Sequence, residues 1–312
     1  MLTHSHAHLS TKGLTLAAGA YVLWGFLPVY LKQLGALSPL EILAHRVVWA
    51  LTFCAALVTA SARWGELWAA VRQRSTLVWF ALSAATLAAN WLIYIWAVNT
   101  ARVVEGSLGY FITPLINAGL GVVVLHERLR LGQWVAFALG GVGVGYLGIV
   151  YGQFPVVGLA LALTFGVYGL LRKRAVLDSL LGLTLETALA APLALAFLLA
   201  QTLNGNGAFI REGWQITLLL LAAGPVTAMP LLLFAAGARH IPLSTLGMLQ
   251  YIGPTLQFLL GVLAYGEPLT VQRFVGFAFV WSAMIVFALE GQWQRRRVAL
   301  EAMILETAQA KH

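Results

Sequence analysis

Seven stretches of the chain hold no Asp, Glu, Lys or Arg: residues 13–31, 75–101, 106–125, 131–171, 187–210, 213–238 and 241–266. About 20 apolar residues carry an α-helix across a bilayer core, where every backbone N–H and C=O must be satisfied by the protein itself. Runs of this length therefore dictate a membrane-embedded bundle of helices. Only 10% of the 312 residues are charged and mean hydropathy is +0.84, whereas an ordinary soluble domain is about 25% charged. Little chain remains for a water-soluble domain.

The pattern predicts an all-α polytopic membrane protein with ten transmembrane helices, at 12–32, 40–62, 75–99, 104–125, 131–150, 155–172, 179–201, 214–238, 243–265 and 271–290. The run 131–171 is too long for one span and is expected to turn near Gly152 and Pro155.

A second regularity organises these helices. Shifting the sequence by 140 residues sets Ile112, Pro114, Leu120, Gly121, Val122 and Glu127 on Ile252, Pro254, Leu260, Gly261, Val262 and Glu267 without a gap. A shift of 141 sets 24–32 on 165–173, and 140 sets Arg46 on Glu186. Self-similarity at this spacing indicates two related halves. Counting Lys and Arg orients them. With the N-terminus inside, 14 such residues fall on the cytoplasmic side, including Arg172, Lys173, Arg174, Arg295, Arg296 and Arg297, and four on the other: Lys32, Arg102, Arg211 and Arg273. Both termini are then cytoplasmic. Five helices per half is odd, so the second half enters from the opposite side, and the two five-helix repeats, 12–150 and 151–290, are inverted. Residues 291–312 form a polar cytoplasmic tail, read as an exposed helix or disorder. The net charge of +8 then belongs to cytoplasmic loops, and no nucleic-acid partner is implied.

Gly141-x3-Gly145, Gly148-x3-Gly152 and the row Gly158, Ala162, Gly166 let backbones approach closely, within the chain or in a homodimer. Pro225 and Pro230 should bend the eighth span. Trp64 and Trp68 near Arg72 and Arg74 mark a short interfacial segment. His4, His6 and His8 fit a disordered leader better than a metal site, and no cleavable signal sequence is evident. Cys54 is the single cysteine, so no internal disulfide forms.

Arg46 lies about seven residues into its helix, roughly 10 Å deep. A charge there costs about 2.5–3.5 kcal/mol on insertion scales and calls for a cavity or a partner. Glu41, His45 and Trp49 share a face by i, i+4 spacing. The functional reading makes this region the outer lining of a polar pathway; the structural reading has Arg46 snorkel or pair with Glu41. Glu186, matched to Arg46 by the repeat, binds a proton or cationic group in one reading and satisfies the basic residues at 172–174 in the other. If both charges serve transport, they mark opposite ends of one passage. Asn90, Trp91, Tyr94, Asn99, Tyr110 and Asn117, with Gln250, Tyr251, Gln257, Trp24 and Tyr168, form a polar and aromatic set suited to an amphipathic organic solute. Each alone also suits an interhelical hydrogen bond worth about 0.6 kcal/mol. Pro114 and Pro254 loosen two helices at matched points, for gating or as inherited packing.

Gly106-Ser107-Leu108-Gly109 has the look of an intramembrane protease serine. The histidines at 45, 126 and 240 give it no base at membrane depth. Neither a metal cluster nor a nucleotide-binding motif is present, so no enzyme activity and no cofactor are expected. Glu41, His45 and Glu186 raise proton coupling as a hypothesis. A non-transporting scaffold or sensor is the other class left open.

EILAHR at 41–46, NW at 90–91, WAVN at 96–99, EGSLGYFITPL at 105–115 and STLGMLQYIGPTLQFLLGV at 244–262 resemble RarD-type permeases, EamA-family members of the drug/metabolite transporter superfamily. The resemblance covers about 12–290. It implies two EamA-type halves in a bacterial inner-membrane permease associated with chloramphenicol sensitivity or resistance. Thr113 departs from the asparagine common there, so no shared ligand role is carried to it. The expectation is a secondary transporter that moves a small organic drug or metabolite, by export with alternating access.

Overall fold

The computed structural model describes residues 10–99, 103–150, 156–265 and 270–309. The histidine leader, the turn at Gly152 and Pro155, Arg102, Glu267 and Lys311 lie outside the described residues, as do the side chains of Asn99, Ser107, Arg273 and Arg295. All regular structure among the described residues is helical: α1 (Thr11–Gln33), α2 (Pro39–Ala60), α3 (Trp64–Val71), α4 (Arg74–Asn99), α5 (Val103–Leu125), α6 (Leu131–Val150), α7 (Val156–Arg174), α8 (Ser179–Leu203), α9 (Trp214–Ala238), α10 (Leu243–Gln250), α11 (Ile252–Leu259) and α12 (Val271–Gln309). Among these residues nine helical segments are long and apolar enough to cross a membrane, with Gly109–Leu125 of α5 a shorter apolar helix. With α3 as the interfacial segment, the ten spans fall where the charge-free runs put them.

Two elements depart from the expected helices. The ninth span is broken at Tyr251, where α10 ends and α11 begins, and its last turn, Leu260–Ala264, is a π-helix. Pro254 has no N–H to give the Gln250 carbonyl, and Gly253 before it adds backbone freedom. Its repeat partner Pro114 sits in an unbroken α5, so matched prolines have unequal outcomes. The last span runs without interruption through Glu290 to Gln309. Pro225 and Pro230 both lie inside a continuous α9.

Packing follows the repeat. α1 packs on α9 and α11, and α7, its repeat partner, packs on α4 and α5. α2 meets α9 as α8 meets α4, while α2–α8, α5–α10 and α6–α12 each join an element to its own counterpart. These pairings are compatible with a pseudo-two-fold relation between the halves, although α9 also meets α7 and α8 without counterpart contacts of α4 on α1 and α2 of the same extent.

Small residues set the closest approaches. Gly158 and Gly166 of α7 lie against α5, since a Cβ at Gly109 would stand 3.0 Å from the Gly158 carbonyl and one at Gly166 2.7 Å from Ile116. On α6 the described glycines of the spaced motif do not pack within the chain. A Cβ at Gly141, Gly145 or Gly148 meets nothing within 4 Å, whereas one at Gly140 or Gly143 runs into Tyr251 or α12. The packed face is displaced from the spaced motif, which is left to lipid or a second copy.

At Gly224 of α9 a Cβ would run into the Trp49 carbonyl oxygen. That oxygen belongs to the α2 backbone and cannot rotate away. Gly224→Ala is therefore expected to lower stability by about 1–3 kcal/mol through overpacking. Gly141→Ala, into open space, should be neutral or slightly stabilising. Thermal unfolding of the two variants in one detergent makes the comparison.

Candidate functional site

One end of the bundle is tied shut by polar side chains. Span alternation brings the loops at 61–73, 126–130, 175–178 and 239–242 to a common face, here termed the basic face. Arg63 bridges Asp178 at 2.5 Å, Arg174 donates to the Val124 carbonyl at 2.9 Å, and Arg239 donates to the Leu177 carbonyl at 2.6 Å. Lys173 reaches the carbonyls of Ala238 and Ile241, and Arg130 pairs with Glu290. Glu127 caps α10: its carboxylate accepts from the amides of Leu243 (2.6 Å) and Ser244 (3.1 Å) and from the Ser244 hydroxyl (2.7 Å).

Asp178 and Glu66 give this face a pH dependence. Burial pushes the Asp178 carboxyl up, but the Leu181 amide at the start of α8 and the Arg63 guanidinium together outweigh it and hold it below its ordinary value. The Arg63 hydrogen bond likewise lowers Glu66. A depressed carboxyl stabilises the fold above its unfolded pKa, and that stability is lost as pH falls through the folded value. Protease cleavage near Arg63 in nanodiscs should therefore rise below about pH 4. Asp178→Asn should flatten the rise and raise cleavage at pH 7.

Beneath the basic face lies a buried cluster. Arg172, 2% exposed, and Glu186, also 2% exposed, face each other at 3.4 Å. Ser83 donates to Glu186 at 2.5 Å and Tyr168 at 3.4 Å, while Arg172 also donates to the carbonyls of Asp178 and Ser179 and lies over the Phe80 ring. An aromatic layer follows, in which Tyr168 stacks on Phe234 and Phe234 packs against Trp24, Phe165 and Tyr21.

Above that layer is a cavity of about 150 Å³. It is lined by the second halves of α1 and α4, the first halves of α2, α5 and α7, the broken span at α10 and α11, and Leu231 in the second half of α9, so most of its wall lies toward the end opposite the basic face. Trp24, Leu87, Trp91, Leu161, Phe165 and Pro254 supply apolar wall, and Arg46, Asn90, Tyr94, Tyr110, Thr113, Gln250 and Gln257 supply polar groups. Local contacts orient several of them. Asn90 donates to the Leu161 carbonyl and to Thr164, both at 2.9 Å. Gln257 donates to the Trp24 carbonyl at 3.2 Å, which joins α11 to α1. The Arg46 Nε donates to Thr227 at 2.9 Å, and its guanidinium carbon sits 5.6 Å from the Trp91 ring centre.

Of the residues singled out in the sequence, the cavity gathers Trp24, Arg46, Asn90, Trp91, Tyr94, Tyr110, Gln250 and Gln257. Asn117 and Tyr251 stand behind it: Asn117 donates to Gln250 at 3.4 Å and Tyr251 to the Phe111 carbonyl at 3.3 Å. Glu186 and Tyr168 belong to the cluster below and do not line this cavity; Glu186 pairs there with Arg172 at 3.4 Å, which is the structural one of its two readings. Glu41 and His45 belong to a separate pocket with Trp49 and Phe209. Arg46 is not paired with Glu41, whose carboxylate accepts from the Ala208 amide at 2.6 Å. Trp49 donates to His45 Nδ1 at 3.1 Å. Neighbouring residues on a helix point about 100° apart, which is how His45 and Arg46 reach different compartments. The Asn99 side chain lies outside the described residues.

Tyr21, Phe165 and Leu231 line the cavity without having been singled out. Phe165 had a signal, since the 141-residue shift sets it opposite Trp24.

With this geometry in view, comparison with known proteins is decisive. The model of the EamA-like transporter family matches residues 11–149. A chain of Vibrio cholerae, described as an uncharacterized transporter, is 46% identical over 90% of this chain and 93% of its own length. Protein RarD of Escherichia coli is 39% identical over 94% of this chain and 99% of its own. The chain belongs to the RarD group of EamA transporters, in the drug/metabolite transporter superfamily. A crystal structure with 20% identity aligns over 91% of this chain and 99% of its own with a TM-score of 0.68, a likeness that shows the fold alone. As a multi-pass transporter of this group, the protein works in a lipid bilayer on a small-molecule substrate.

Proposed function

We propose that the protein is a secondary permease of the bacterial inner membrane. It carries a small amphipathic organic solute outward by alternating access, with both termini in the cytoplasm. The observation that carries this reading is the central cavity, shared by helices of both halves and sealed on one side by the aromatic layer and the ties of the basic face. Basic loops are retained in the cytoplasm, so the sealed side is the cytoplasmic one and the conformation is outward-facing. The inverted packing supplies the alternative state, because rocking one half against the other exchanges which side is sealed.

Counterflow in proteoliposomes tests the reading. Amphenicols, amino acids and other small amphiphiles, each preloaded unlabelled, should drive entry of the same labelled solute in at least one case. Purified protein that binds such solutes yet gives no counterflow with any of them overturns transport. Proton coupling is carried separately: collapse of a pH gradient that leaves accumulation unchanged rejects it.

A further inference from the structure

The charge balance of the cavity points to a substrate class. Among the described residues Arg46 is the one charged side chain that lines it, and no Asp or Glu contributes. The Arg46 guanidinium is held from behind by Thr227 through Nε and from the side by the Trp91 ring. No described carboxylate pairs with it, although Glu41 is five residues away on the same helix. The phenols Tyr94 and Tyr110 line the same cavity, and both are neutral hydroxyls that bring no counter-charge.

This is an unusual way to keep a cation. Arg172, whose guanidinium is buried, has by contrast Glu186 and two carbonyls around it. A guanidinium inside a membrane protein without a counter-ion is costly and calls for an anion to complete it. Anchoring by Nε leaves the two terminal nitrogens as a fork, the geometry that meets a carboxylate by two parallel hydrogen bonds. The remainder of the wall is indole, phenyl and aliphatic surface with scattered amides and the hydroxyls of Tyr94, Tyr110 and Thr113. A solute that fits has one carboxylate and an aromatic or aliphatic body that a cavity of about 150 Å³ admits.

We infer that Arg46 is the anchor for the carboxylate of a small amphipathic monoanion. The inference rests on the central cavity being the transport site, and it names the class of substrate.

Matched pairs test it in purified wild-type protein, by calorimetric titration with phenylacetate against phenylacetamide, 3-phenylpropionate against its amide, and indole-3-acetate against its amide. In at least one pair the carboxylate should bind at least about tenfold tighter, a modest share of what a charge-assisted bidentate pair supplies. Arg46→Gln should reduce that ratio to within about threefold, and Arg46→Lys, which keeps the charge without the fork, should leave an intermediate ratio. If no carboxylate binds more tightly than its amide, the assignment is overturned, and this outcome needs no variant to fold. A preference retained in folded Arg46→Gln overturns it equally. Counterflow separates the two readings. Carboxylate preference without counterflow upholds the anchor and defeats transport; counterflow of neutral solutes with no carboxylate preference does the reverse.

Discussion

Glu186→Ala is expected to lower stability by about 3–5 kcal/mol, more than Gly224→Ala. The cost is not the loss of an attraction alone. Arg172 is 2% exposed, held among α4, α7 and α8, and its Nε already lacks a hydrogen-bond partner among the described residues. Without Glu186 it keeps two carbonyls and the Phe80 ring but no anion, and it cannot reach water without opening the bundle. The Ser83 and Tyr168 hydroxyls lose their acceptor at the same time. A buried pair is nevertheless weak evidence of net stabilisation, because both charges were desolvated to form it. The double variant Arg172→Met, Glu186→Leu should therefore recover most of the loss, whereas either single change should not. Thermal unfolding of the four proteins in one detergent measures the cycle. Additive losses in the double variant would contradict the pairing.

The sequence made the architecture legible because lipid leaves few alternatives. Charge-free runs placed the spans, and the 140-residue shift implied which helices correspond. It could not distinguish Pro114 from Pro254. The difference lies in the company of each ring: Thr113 precedes the first and returns its hydroxyl to the Gly109 carbonyl at 2.7 Å, whereas Gly253 precedes the second. The site was legible as a set of residue types and less so as a place. Periodicity grouped Glu41, His45 and Trp49 correctly on one face, yet Arg46 turns away from that face into the cavity. The repeat exposed Glu186, and the reading that it satisfies the basic residues at 172–174 holds, but which of the three pairs with it, Arg172, was not legible. Partner choice between helices far apart in sequence is settled by packing, and a single chain read linearly carries little trace of it.

Glu127 illustrates the same limit, since from its position it reads as a boundary between spans. In the fold it comes from the first half and closes the N-terminus of α10 in the second, accepting two amides and one hydroxyl. Its negative charge also opposes the positive end of the helix dipole. Glu127→Ala strands the two amides of the broken span and removes this link between the halves at the sealed face. Charge-assisted bonds are worth about 1.5–3 kcal/mol each, and since water recovers part of that at a half-buried site, a net loss of about 2–4 kcal/mol is expected. The effect should be directed, because the link closes one side only. Cys54, the single cysteine, is fully buried and packs in the same core as Leu243 and Leu246 of α10, which makes it an internal reporter of that side. Maleimide labelling of Cys54 should be slow in the wild type and severalfold faster in Glu127→Ala. Glu127→Gln, which retains one acceptor oxygen, should fall between them. Equal labelling rates in all three proteins, at equal folded fraction, would show that α10 stays seated without its cap and that the aromatic layer and the other ties of the basic face hold the seal.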